Sequence, residues 1–116
     1  RPCILIFDSL VGPVRNSGSV IKLLREYLQV EWDMKMRAEH GSRIFNKDTM
    51  RGGFPECPQQ TNYSDCGIYI LQYVQSFFTN PIENYTFPIK LAKWFDETIV
   101  CKKRSQLQQL IMKMQV

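Results

Sequence analysis

Histidine is almost missing from this chain: His40 is the only one among 116 residues. No two cysteines form a C-x-x-C pair, so four scattered thiols and one imidazole present no zinc pattern. No apolar run approaches the roughly 18 residues that a membrane-spanning helix needs. The opening residues, Arg1-Pro2, lead directly into an apolar run and carry no signal-peptide pattern. The start therefore reads as a cut made inside a fold. A dominant charge is lacking too. Fifteen Lys/Arg against eleven Asp/Glu leave a net +4, which favours acidic partners without requiring nucleic acid. Lys102-Lys103-Arg104 is the one dense basic cluster. It reads as a solvated patch at a helix start, with a nuclear-import signal or phosphate contact as the sharper alternative.

What is present suits one small domain or a piece of a larger one, since 44% hydrophobic and 12% aromatic residues suffice for a core. Cys3, Cys57, Cys66 and Cys101 are even in number, but their spacing is irregular and Cys3 heads an apolar strand. Reduced, intracellular thiols are expected. Asn62-Tyr63-Ser64 and Asn84-Tyr85-Thr86 match the glycosylation pattern but need a secretory context, so both are discounted.

Cys3 to Phe7 reads as a buried strand with Asp8 at its C-terminal edge, followed by a turn at Gly12-Pro13. A helix is expected from about Val20 to Met34, capped by Ser17 or Ser19. Val20, Leu23, Leu24, Tyr27, Val30 and Met34 would pack on the sheet, opposite Lys22, Arg25, Glu26, Gln29 and Asp33. A long polar connection follows to about Phe54, broken at Gly41-Ser42 and Gly52-Gly53 and anchored by Ile44-Phe45. Pro58 to Asn62 suggests a short strand, limited by its proline. A helix from Asp65 to about Thr79, capped by Asp65 or Ser64, should be buried on most sides, with Gln72, Gln75, Ser76 and Thr79 as its one polar stripe. Residues 82–101 look irregular, and Ser105-Gln106-Leu107-Gln108 reads as a capping box opening a last helix. The fold class is α/β or α+β, with a sheet too small to be complete.

Ser64-Asp65-Cys66-Gly67 places a lone thiol at the first turn of an apolar helix. There the backbone offers unpaired N–H groups and the positive end of the helix dipole, which favour a thiolate and an oxyanion. The ordinary alternative is a small buried hydrophobe. Three neighbours sharpen the catalytic reading. Gly67 leaves room for a substrate backbone, Gln60 carries an amide suited to an oxyanion, and Asp8 is a carboxylate able to orient a histidine, unless it only forms a turn. His40, between Glu39 and Gly41, reads as a surface histidine in a hydrophilic loop. An acid, an amide donor and a thiol are thus present without a positioned base.

These residues resemble the SUMO-specific (sentrin-specific) proteases of the ubiquitin-like-protease family, and most closely the divergent branch that trims poly-SUMO chains, vertebrate members six and seven. The resemblance spans essentially all 116 residues. It rests on Pro2-Cys3-Ile4-Leu5 through Asp8-Ser9-Leu10, and on Leu24-Arg25-Glu26-Tyr27-Leu28 with Val30-Glu31-Trp32. Pro58-Gln59-Gln60, Ser64-Asp65-Cys66-Gly67, Leu71-Gln72-Tyr73-Val74, Ser76-Phe77-Phe78 and Lys93-Trp94-Phe95 complete it. It implies a papain-like α+β fold, with residues 1–116 forming the C-terminal part of the catalytic domain. It also implies Cys66 as nucleophile, Asp8 as the carboxylate that orients the catalytic histidine, and Gln60 as oxyanion donor. The family histidine precedes the aspartate by more than seven residues, so it is expected upstream of Arg1, and residues 1–116 alone are expected to be inactive.

The expected activity is that of a cysteine-type isopeptidase that deconjugates SUMO or trims poly-SUMO chains. It would need no cofactor or metal. Its partners would be SUMO and SUMO-conjugated proteins, not nucleic acid or membrane. A monomer in the nucleus, and also in the cytoplasm, is expected. The competing readings are a non-catalytic SUMO-binding module or inactive paralogue, a protease for another ubiquitin-like modifier, and a nucleic-acid binder resting on Lys102-Lys103-Arg104 alone.

Overall fold

The computed structural model describes residues 2–11 and 17–115. Its elements are β1 (Cys3–Leu5), α1 (Ser17–Lys35), α2 (Arg37–His40), β2 (Arg51–Gly53), α3 (Cys66–Thr79) and α4 (Glu97–Met114), an α+β order. The chain divides into two compact units, Arg1–Ile6 with Gly12–Phe54, and Phe7–Val11 with Pro55–Val116.

In the first unit β1 and β2 pair in parallel, Cys3 opposite Arg51 and Leu5 opposite Gly53. Ile6 N–H extends the ladder to Gly53 O at 3.0 Å. Parallel strands need a long crossover, and the segment containing α1 supplies it. The strand at Gly52-Gly53, read from the sequence as a chain break, exists because α1 lies directly on it. A Cβ on Gly52 would stand 2.6 Å from two carbons of Ile21. β1 is shorter than expected, and the turn expected at Gly12-Pro13 falls outside the described residues.

The face that α1 turns inward also differs from expectation. Ile21 is buried, while Val20, Leu23, Leu24, Tyr27, Val30 and Met34 are between 41% and 80% exposed. Polar side chains take the inner position. Arg25 Nε donates to Met50 O at 2.7 Å, and Gln29 donates to Arg43 O at 2.9 Å while accepting from Phe45 N–H at 2.8 Å. The connection is irregular, so its backbone groups need side-chain partners, and the polar stripe of α1 provides them. Trp32 Nε1 donates to Gly41 O at 2.9 Å, and the Arg43 guanidinium lies over Trp32 and Phe45. Ser17 and Ser19, expected as caps, are both inside α1.

The second unit is built around Cys57, Tyr69, Tyr73, Phe95 and Val100, with Phe7, Ile68 and Trp94 packed against them. α3 buries Tyr69, Gln72, Tyr73 and Ser76. The expected polar stripe is thus partly the buried one, and Gln72 Nε2 satisfies Ser76 Oγ at 3.0 Å. Ile70, Leu71, Val74, Phe77 and Phe78 are instead 39% to 77% exposed, against the expectation of a helix buried on most sides. α4 begins eight residues before Ser105, because the Asp96 side chain accepts from Thr98 N–H at 3.2 Å and caps it there. The Ser105–Gln108 box therefore lies mid-helix and caps nothing. Lys102-Lys103-Arg104 is likewise inside α4 and not at a helix start.

Candidate active site

Cys66 is the first residue of α3, and its side chain is exposed, whereas Cys57 is buried; all four cysteines are free thiols. The reading of Cys66 as a small buried hydrophobe therefore does not apply. The turn before it is organised by one side chain. Asn62 Oδ1 accepts from Ser64 N–H at 3.0 Å and Asp65 N–H at 2.9 Å, an Asx arrangement that aims the chain into the helix. Asp65 occupies the N-cap position but makes no side-chain cap bond, contrary to expectation. Its carboxylate instead accepts from Asn62 Nδ2 at 2.8 Å and Arg104 Nη2 at 2.6 Å. These two, Asn62 first, hold the Asp65 carboxyl below the usual carboxylate range.

No strand forms at Pro58–Asn62. Its backbone groups are met by side chains and by the 8–11 segment, which leaves no ladder to form. Tyr73 hydroxyl donates to Pro58 O, and Tyr69 hydroxyl to Gln59 O at 3.1 Å. Burial keeps both tyrosines protonated, raising their pKa above the ordinary value.

The two glutamines clip this segment to the one carrying Asp8. Gln59 Nε2 donates to Asp8 O at 2.7 Å, and Gln59 Oε1 accepts from Val11 N–H at 3.0 Å. Gln60 N–H donates to Ser9 O at 2.8 Å, and the Ser9 hydroxyl donates to Gln60 Oε1 at 2.5 Å. Gln60 Nε2 then donates to Asn62 O at 2.6 Å. A continuous set of bonds thus runs from the Asp8 segment through Gln60 to the Asn62 turn that opens onto Cys66. Asp8 itself accepts Leu10 N–H through Oδ1 at 2.9 Å, which is the turn-forming bond that the sequence also allowed.

Asp8, Gln60 and Cys66 all belong to the second unit, and His40 to the first. His40 ends the short helix α2 and is not in a loop. It is exposed, with Glu39 Oε2 at 3.9 Å and the Trp32 ring beside it. A Cβ on Gly67 would meet nothing within 4 Å, so the chain's own packing does not require a glycine beside Cys66. Among the described residues no group of three or more His, Cys, Asp or Glu is arranged to hold a metal. Sequence reasoning missed the supporting roles of Ser9, Gln59, Asn62 and Arg104. The Asn-x-Ser-Asp spacing signalled the Asx turn; the Ser9 and Arg104 contacts span 51 and 39 residues and carry no local signal.

Residues 3–113 match the model of the Ulp1 protease family, C-terminal catalytic domain. The chain is 49% identical to sentrin-specific protease 6 of Mus musculus over 115 residues, covering 99% of this chain and 10% of that protein. It is 47% identical to sentrin-specific protease 7 of Homo sapiens over 115 residues, covering 98% and 10%. Ubiquitin-like-specific protease 2 of Schizosaccharomyces pombe is 41% identical over 81 residues, 69% of this chain and 11% of that protein. The chain spans about a tenth of the length of these curated relatives.

Proposed function

The chain belongs to the Ulp1 protease family as part of its C-terminal catalytic domain, and on that premise we propose that it carries the nucleophile of a thiol isopeptidase acting on SUMO conjugates and poly-SUMO chains. The observation that carries this reading is the exposed Cys66 at the first turn of α3, directly after a turn in which Asn62 accepts from Asp65 N–H and from the Gln60 amide. The Cys66 thiol gives its proton to the catalytic histidine, and its sulfur attacks the carbonyl carbon of the last glycine of SUMO. The carbonyl oxygen becomes an oxyanion, held by a Gln60 Nε2 hydrogen and the backbone N–H of Cys66. Collapse expels the lysine amine, which takes a proton from the catalytic histidine, and leaves a thioester on Cys66. Water, activated by the same histidine, then releases the SUMO carboxylate and restores the thiol.

In this reading the histidine comes from outside residues 1–116, and Asp8 orients it. The net charge of +4 suits an acidic partner. Nuclear location is part of the proposal. It does not rest on the basic cluster, because Lys103 bonds Gln75 and Arg104 pairs with Asp65.

The test is cleavage of SUMO-2 chains by the full-length protein, followed on gels. Cys66→Ala should leave chains intact, and Cys57→Ala should still cut them. Chain cleavage by the Cys66→Ala protein would refute the assignment.

A further inference from the structure

We propose that Ser9 is a positioning residue that fixes the orientation of the Gln60 amide for oxyanion binding, an inference that rests on the peptidase reading above. The two ends of a glutamine amide are chemically opposite, one a double donor and the other an acceptor. Asn62 O can only accept, so the end of Gln60 that meets it at 2.6 Å must be Nε2. Oε1 is thereby turned to the Ser9 hydroxyl, which must donate. Ser9 O also receives the Gln60 backbone N–H, so one residue holds both the backbone and the side chain of the glutamine.

Burial gives this arrangement its force. Ser9 is 6% and Gln60 7% exposed, so water does not readily replace a lost partner. One Nε2 hydrogen is committed to Asn62, and the other is the donor that the proposed reaction needs. Without the Ser9 hydroxyl, Oε1 loses its partner in a buried site and the amide has reason to rotate. Rotation moves the second hydrogen away from the oxyanion while leaving Cys66, on the helix beyond Asn62, where it is. Ser9 would then affect the transition state and leave substrate binding and thiol access alone.

The experiment compares wild type, Ser9→Ala, Gln60→Ala and the double variant in the full-length protein. Turnover is read with a SUMO C-terminal aminocoumarin amide, and Cys66 accessibility by its rate of alkylation with iodoacetamide, a reaction that forms no oxyanion. Gln60→Ala should lower kcat by about 10²–10³-fold, the usual loss for one oxyanion donor. Ser9→Ala should lower kcat by about tenfold or more, with KM and the alkylation rate within about twofold of wild type. In the Gln60→Ala background, removing the hydroxyl should change kcat by less than about twofold.

A wild-type kcat for Ser9→Ala beside an impaired Gln60→Ala overturns the role of Ser9 alone. So does an equal loss in both backgrounds, or a loss that appears in alkylation as well. A wild-type rate for Gln60→Ala removes the oxyanion role of Gln60 and the Ser9 role with it, while turnover by a Cys66→Ala control sinks the peptidase reading itself.

Discussion

Arg104, in the middle of α4, donates to the Asp65 carboxylate at 2.6 Å, one residue before the thiol that opens α3. With Asn62 on the other oxygen, Asp65 is held from two sides in a half-buried position. Its carboxyl therefore sits below its ordinary value of 3.8 in the folded state. A depressed carboxyl stabilises the fold above the unfolded value, and that contribution fades as pH falls through the folded one. The window thus opens near 3.8 and extends downward. Asn62→Ala should move the Asp65 midpoint up toward 3.8 by more than Arg104→Gln does, because the Asn62 bond is the larger cause. Carbon-13 titration of the carboxyl reads both. An unmoved midpoint in Asn62→Ala would contradict the assignment.

Gln59 works at one remove from the chemistry. It spans Asp8 O and Val11 N–H with its two amide ends, so it sets the path of the Asp8 segment. Gln59→Ala removes this partner from an exposed carbonyl and amide and should cost about 0.5–1.5 kcal/mol, the net worth of a typical hydrogen bond. Gln59→Glu keeps an acceptor for Val11 but sets a carboxylate against the carbonyls of Asp8 and Cys57, and should cost more. Urea unfolding measures the order. A Glu variant as stable as wild type would argue against the clamp.

Gly52→Ala should destabilise the first unit by about 1–3 kcal/mol, the usual cost of overpacking. The added methyl would meet Ile21 at 2.6 Å. Ile21→Ala opens that space, so the double variant should lose less than the sum of the singles. Strict additivity in a thermal or urea melt would mean that helix and strand do not meet at these residues.

These contacts explain what was legible in the sequence. Ser64-Asp65-Cys66-Gly67 could be read because a helix start is a local event, set by residues within one turn of each other. Gly52-Gly53 could not be read as a strand, since glycine lacks the side chain that signals one; its reason is Ile21, thirty-one residues away. The inward faces of α1 and α3 were misassigned for a related cause. Periodicity puts apolar residues inside, but the irregular backbone at 43–50 draws in Arg25 and Gln29, and α3 buries Gln72 and Ser76. The start of α4 was misplaced because Asp96 caps it ahead of Thr98-Ile99-Val100, β-branched residues with weak helix preference. Gln60 was identified by its spacing from Cys66, yet its dependence on Ser9 crosses 51 residues and has no local trace.

The central claim is that Cys66 is the sulfur that attacks a SUMO C-terminus. Its most direct test is intact-mass and peptide mass spectrometry of the full-length protein after exposure to SUMO ending in a vinyl or propargyl electrophile. One SUMO should be added, on the peptide bearing Cys66, and Cys66→Ala should add none. An adduct that maps to Cys3, Cys57 or Cys101, or that persists in Cys66→Ala, would contradict the account.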